Sequence, residues 1–215
     1  MVAKILSLKT GAIAIWLAAM AAGFVVILHY QTASGEAGVT ASTWPTGTRL
    51  TLDPKRYTLV MFAHPQCPCT RASMEELNRC MARVQGQTLA QVWFYKPATY
   101  AESWLKSDLW QSATAIPGVT VHEDTDGTEA KLFGAETSGC VLLYDTKGHL
   151  LFKGGITGSR GHSGDNAGEG AIVSLCGRPA TDIDSLTAAL RGIRTPVYGC
   201  SLLGSCTQPA QGVAK

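Results

Sequence analysis

The chain has 215 residues, of which 46% are apolar and 16% charged, with a formal net charge of +2. That length holds one domain with a real core plus attachments. So small a net charge, without a basic stripe, argues against nucleic acid as a partner, and no internal repeat is visible.

The first element is hydrocarbon. Residues 11 to 28, GAIAIWLAAMAAGFVVIL, hold no charge and no proline. At a rise of about 1.5 Å per residue they approach the roughly 30 Å of a bilayer core. Lys4 and Lys9 precede the run, and no Lys or Arg follows until Arg49. The positive-inside rule then keeps the N-terminus cytoplasmic and exports everything after Tyr30. The run exceeds the roughly 7–15 residues of a signal-peptide core, and Ala33, Ser34 and Gly35 make no clean cleavage site. The expectation is a single-pass anchor over residues 1–30, with the rest on the extracytoplasmic (periplasmic) side. Residues 31–48, rich in Gly, Ser, Thr and Ala, read as a flexible linker. The domain is expected over residues 49–194. A Cys-containing extension follows over 195–215, ending in a disordered QPAQGVAK tail.

Within the domain, YTLVMFA (57–63) is a short apolar run rich in strand formers and bounded by Pro54 and Pro65, so it reads as a buried strand. CTRASMEELNRCMARV (69–84) has helical apolar spacing at Met74, Leu77, Met81 and Val84, with acids early and Arg79 and Arg83 late. QTLAQVWFYKP predicts a second strand, YAESWLKSDLWQSA a second helix and GVTVHED a third strand. DGTEAKLFG predicts a short helix with a Gly stop. CVLLYD and HLLFKGG, joined by TKG, predict a hairpin. DNAGEGAIVSLCG and TDIDSLTAALRG predict two closing helices, the second capped by Asp182 or Asp184. Strand–helix–strand order implies a parallel pair and the hairpin adds antiparallel strands, so the sheet is expected to be mixed.

Seven cysteines, at 67, 69, 80, 140, 176, 200 and 206, would meet an oxidising compartment in which disulfides persist. An odd count leaves at least one thiol free or bonded to another chain. Cys67 and Cys69 flank Pro68 where the first strand hands over to the first helix. A helix N-terminus favours the thiolate, which is the form that attacks disulfides and binds soft metals. A Cys-x-Cys disulfide closes a very small ring, which strains it and makes it easily reduced. That favours a redox pair over a metal site, with two structural cysteines the remaining reading. Cys67, in the loop, is expected to be the more exposed and therefore the attacker. In the metal reading Cys67, Cys69 and His64 or Cys140 would suit copper or zinc.

The order of elements resembles a thioredoxin fold. FAHPQCPCTRASMEEL (62–77) resembles the strand–Cys–helix segment of thioredoxin-like, membrane-anchored thiol–disulfide proteins and of peroxiredoxins. EDTDGTEAKLFGAETSGCVLLYDTKGHLLFKGG (123–155) resembles those families more fully. GGITGSRGHSGDNAG (154–168), with HPQCPCT, most resembles the RedB group of small bacterial thioredoxin-like proteins. The resemblance covers about residues 50 to 192. It implies an α/β, thioredoxin-like mixed sheet flanked by helices, here behind an N-terminal transmembrane helix. It further implies a thiol–disulfide oxidoreductase in which Cys67 attacks, Cys69 resolves, no cofactor is needed and the partners are protein thiols and disulfides.

The chain also departs from these families. The cysteine spacing is one residue shorter than in thioredoxins. The family's cis-proline position falls near Ser138, Gly139 and Cys140, without a proline. The resemblance sets Cys140 near the Cys-Pro-Cys as a resolving thiol or third metal ligand, against a plain buried strand residue. A peroxiredoxin-like peroxidase, with Cys67 oxidised to a sulfenic acid and Cys69 or Cys140 resolving it, is the rival enzyme reading, and His64 standing where a peroxiredoxin has its Thr argues against it; a copper-binding or metallochaperone module is the non-enzyme rival. In the SRGHSGDN loop Arg160 is expected to stabilise a thiolate and His162 to act as a base near neutral pH. A disulfide among Cys176, Cys200 and Cys206, or with Cys80, would staple the extension to the domain, and a transfer relay through Cys200 is a further option.

Overall fold

The computed structural model describes residues 2–177 and 192–202. The expected helix over 181–192, all but its closing Gly192, with its Asp caps, Cys206 and the QPAQGVAK tail lie outside the described residues. The chain divides into two compact units after Ala33. The first unit is one helix, α1 (Val2–Thr32). Its stretch Lys9–Thr32, 24 residues, is long and apolar enough to cross a membrane. Ile15, Phe24 and their neighbours are exposed, an apolar surface of the kind that marks a lipid or protein contact.

The second unit is built on a mixed sheet, six-stranded among the described residues, in the order β3-β2-β1-β4-β5-β6. Its strands are β1 (Tyr57–Ala63), β2 (Thr88–Lys96), β3 (Val119–Thr125), β4 (Cys140–Tyr144), β5 (Leu150–Gly154) and β6 (Ile193–Arg194). Helix α2 (Pro68–Arg83) carries the chain from β1 to the parallel β2, and α3 (Glu102–Leu105) and α4 (Asp108–Thr114) carry it on to the parallel β3. After α5 (Thr128–Phe133), β4 runs antiparallel to β1 and β5 antiparallel to β4. The expected second helix is thus split in two. Ser107 Oγ accepts a hydrogen bond from Trp110 N and caps α4, and a Ser that caps a helix breaks one that would run through it. The short parallel β6 beside β5 was not expected.

Both faces of the sheet are covered, which is why β1 is an unbroken apolar run rather than an alternating one. Leu59, Met61 and Ala63 of β1 meet Met74, Leu77 and Met81 of α2 and Ile172 of α6 (Ala167–Cys176). Val60 and Phe62 point the other way, to Phe133 of α5 and Tyr144 of β4.

The stretch expected to be a linker packs on the domain from Gly35 onward. Gly35 N donates to Val197 O at 2.8 Å. Lys153 Nζ donates to Gly38 O and Gly134 O, both at 2.9 Å. The Trp44 ring stands edge-on to Phe133 at 5.1 Å and to Tyr144 at 4.9 Å. At Gly134 (φ +63°) a Cβ would come within 1.8 Å of Val39 O, so the glycine that ends α5 is also what lets this strap lie close. Composition alone suggested a tether. Two aromatic contacts and a buried lysine outweigh the flexibility of a Gly/Ser-rich chain. Trp44→Ala in the full chain in detergent should lower the unfolding free energy by about 2–3 kcal/mol, read from the urea midpoint. A free tether would leave the midpoint unchanged.

Candidate thiol active site

The site forms where β1 ends and α2 begins. Pro68 occupies the first turn of α2, where its missing N–H leaves no gap and its fixed φ suits the helix. Cys67 is the N-cap, in extended geometry (φ −83°, ψ 115°), and its side chain makes no capping hydrogen bond. The sulfur is therefore left to receive donors rather than spent on the helix end. Cys67 N donates to His64 O, and Thr70 N to Cys67 O, both at 3.1 Å, and these bonds set the turn.

The exposure argument for Cys67 is overturned. It is 1% exposed, against 7% for Cys69. Chain 195–202, from the extension, lies across the site and shuts out solvent. Ser138 N donates to Cys200 O at 2.8 Å and Leu202 N to Glu136 O at 2.8 Å. Arg160 NH1 donates to Gly199 O at 2.8 Å. A Cβ on Gly199 would meet Ser138 O at 2.0 Å, so only glycine allows the strand to seat this closely.

Electrostatics nevertheless drive the two thiols apart. Side-chain hydrogen bonds from Cys200 and Cys69, then Thr70, and a backbone bond from Cys200 N hold its thiol far below the ordinary range, against the effect of burial. The Cys200 N to Cys67 Sγ distance is 3.4 Å. Cys69 moves the opposite way. Its hydrogen bond to Cys67 keeps it protonated, with burial acting in the same direction and Arg160 pulling against both. Their mutual hydrogen bond thus favours the thiolate at Cys67 and the thiol at Cys69.

Arg160 acts on Cys69, lowering its pKa against the larger upward effects, and NH1 donates to Gly199 O of the strap. His162 is exposed and its Nδ1 lies 2.8 Å from Arg160 O, so it closes its own loop. His64 is buried, and burial lowers its pKa. Its Nδ1 accepts from Gln66 N at 3.2 Å, and the ring lies between Tyr95 and Trp104. Cys140 is corrected: it belongs to the cluster on the face of the sheet away from α2, with Phe62 and Tyr144, and burial pushes its thiol up to about 11. Strand alternation, not distance along the chain, removes it from the Cys-Pro-Cys. Among the described residues no group of three or more His, Cys, Asp or Glu side chains is arranged to hold a metal ion, so Cys67, Cys69, His64 and Cys140 do not form the expected alternative ligand set. Cys80 and Cys176 are core thiols on the α2 side, pushed by burial up to about 12 and about 11.

Thr70 and Glu76 were not expected at the site, while Ser138 was expected there only as the residue near the family's cis-proline position. Thr70 Oγ1 lies 2.7 Å from Ser138 Oγ, which in turn accepts from His64 N at 2.8 Å. Glu76 is fully buried on α2 and accepts from Gly164 N and from Asn166 Nδ2 (3.3 Å), tying the Arg160 loop to the helix. A carboxylate inside the stripe formed by Ser73, Leu77 and Cys80 was the signal for Glu76. Thr70 gave none, because its partner Ser138 is distant in sequence.

The strand order and directions, a βαβ half joined to an antiparallel hairpin with a cysteine pair at the first helix N-terminus, decide the architecture. The fold is thioredoxin-like. No family model matches the chain, and neither does any curated protein. Among solved structures, a hypothetical protein from Sinorhizobium meliloti 1021 is similar with a TM-score of 0.53 at 18% identity, covering 82% of this chain and 98% of its own. An uncharacterized conserved protein from Geobacillus kaustophilus gives 0.51 at 14% identity, covering 82% and 94%. A thioredoxin-like protein solved in its oxidized form gives 0.44 at 17% identity, covering 71% and 96%.

Thiolate absorbance near 240 nm tests the pair. Because the native Cys67 pKa is depressed, its thiolate should persist as the pH falls from about 8.5, the ordinary thiol value, to well below 7. The signal should be absent in Cys67→Ser. Loss of the signal around pH 8.5 in the unaltered chain would mean that no thiolate is held.

Proposed function

We propose that the chain is a thiol–disulfide oxidoreductase with Cys67 as its nucleophile, acting on protein thiols and disulfides without a dissociable cofactor. The observation that carries this is the Cys67 sulfur at the N-terminus of α2, with the Cys200 amide N–H 3.4 Å away and thiol and hydroxyl donors around it that favour its thiolate. A group poised in this way is what disulfide exchange requires. The thiolate attacks one sulfur of a partner disulfide, the partner's S–S bond breaks, and the leaving thiolate takes the proton that Cys69 holds. A second thiol of this chain then attacks Cys67 in the mixed disulfide and releases the partner's other sulfur. The partner gains two electrons and this chain is left with one intramolecular disulfide. Cys69 is the candidate second thiol that lies adjacent in sequence. The reverse sequence oxidises a dithiol partner.

Membrane attachment through α1, with the domain extracytoplasmic, is part of the proposal, supported by the length and apolarity of Lys9–Thr32 and by Lys4 and Lys9 on one side only. Kinship with the RedB group rests on the HPQCPCT and GGITGSRGHSGDNAG stretches.

Thiol trapping of the full chain in detergent across a glutathione series, with and without Cu(I), tests the reading. A reversible two-electron midpoint above about −230 mV, lost in Cys67→Ser, is expected. If no intramolecular disulfide forms and one Cu(I) is held tightly, the oxidoreductase reading fails.

A further inference from the structure

We propose that Cys200 is the resolving thiol of this site, delivered by the 195–202 strap, which in the reduced state also caps Cys67. The inference rests on the reading of Cys67 as a disulfide-exchange nucleophile and goes beyond it by naming a third thiol. The strap is registered on the domain rather than laid loosely on it. It is bonded to the segment before β4 through Ser138 N to Cys200 O and Leu202 N to Glu136 O, and it bridges Thr137 with Ser201. Arg160 clamps it at Gly199, and its own Val197 and Leu202 are buried against the domain. This register sets the backbone N–H of Cys200 at 3.4 Å from Cys67 Sγ. A peptide that pairs along one edge and presents a cysteine to the nucleophile has the form of a bound disulfide-exchange substrate.

Ring geometry favours Cys200 over Cys69 as the partner in the internal disulfide. A Cys67–Cys69 bond encloses the first turn of α2. Its closure works against the Thr70 N to Cys67 O bond at 3.1 Å and makes a ring too small to close without strain. A Cys67–Cys200 bond joins two segments already in register and leaves that turn intact. Cys69, which already donates to Cys67, then serves as the proton source for the leaving thiolate. In balance, Cys67 thiolate opens the partner disulfide RS–SR′ and R′S⁻ leaves with the Cys69 proton. Cys200 then gives its own proton to Cys69, and its sulfur attacks Cys67. The Cys67–SR bond breaks, the Cys67–Cys200 bond forms and RS⁻ departs. With Cys67 1% exposed, the strap must lift to admit the partner and return to finish the exchange.

The full chain in detergent, fully reduced, is treated with oxidised glutathione, quenched by alkylation and mapped by mass spectrometry under non-reducing conditions. The expected internal product is a Cys67–Cys200 linked peptide, still formed in Cys69→Ser. In Cys200→Ser the Cys67–glutathione mixed disulfide should persist at least about tenfold longer. Gly199→Ala, whose Cβ meets Ser138 O, supplies a test that keeps every thiol: Cys67 should react with glutathione faster while resolution slows. A Cys67–Cys69 or Cys200–Cys206 bond as the sole internal product, with unchanged resolution in Cys200→Ser, overturns the inference and leaves the oxidoreductase reading standing. No mixed disulfide on Cys67 in any variant, Gly199→Ala included, overturns both.

Discussion

The site depends on the hydrogen bonds that converge on one buried sulfur. An ionised group shut away from water is strongly unfavourable unless donors replace its hydration. Hydrogen bonds to a charged group are worth about 1.5–3 kcal/mol each. Cys67 collects such donors from α2, through Cys69 and Thr70, and from the strap, through the thiol and amide of Cys200. Neither source alone surrounds the sulfur. The strap that covers Cys67 therefore also favours its thiolate, so accessibility and ionisation are coupled through a single segment. A partner that displaces the strap must offer replacement donors, and an extended peptide carrying its own amide N–H is suited to do so.

The rest of the molecule holds these two sources in position. β1 sits between a parallel and an antiparallel neighbour, buried on both faces, and it fixes the point from which α2 springs. Glu76 ties the Arg160 loop to α2, and Arg160 reaches both Cys69 and the strap. Residues from Gly35 to Trp44 brace the opposite layer, through the buried lysine of β5 and the edge-on aromatic contacts around Phe133. The chain that leaves α1 and the chain that follows β6 meet on this layer, where Gly35 N donates to Val197 O and Trp44, Val197 and Leu202 share one core cluster.

The six described thiols divide by environment rather than by number. Cys80, Cys140 and Cys176 are core residues whose burial raises their pKa values and leaves them protonated and inert. Cys67, Cys69 and Cys200 meet at the head of α2. No short motif makes this division, because it depends on which face of a strand or helix each residue occupies.

The sequence by itself determined the apolar N-terminal helix, β1, α2, the hairpin of β4 and β5, and the mixed character of the sheet. Each is written in local periodicity, in proline and glycine placement, or in plain length. It also placed Cys67 and Cys69 at a helix start, because that follows from a strand, a proline and a helix in succession. Tertiary structure alone decided what surrounds them. Cys140 is turned away by strand alternation, Cys200 is brought across 133 residues to Cys67, and Gly35 to Trp44 are packed although their composition suggests a tether. These outcomes depend on long-range pairing and on which face is already filled, and a thiol's charge depends on neighbours that the chain supplies only once it is folded.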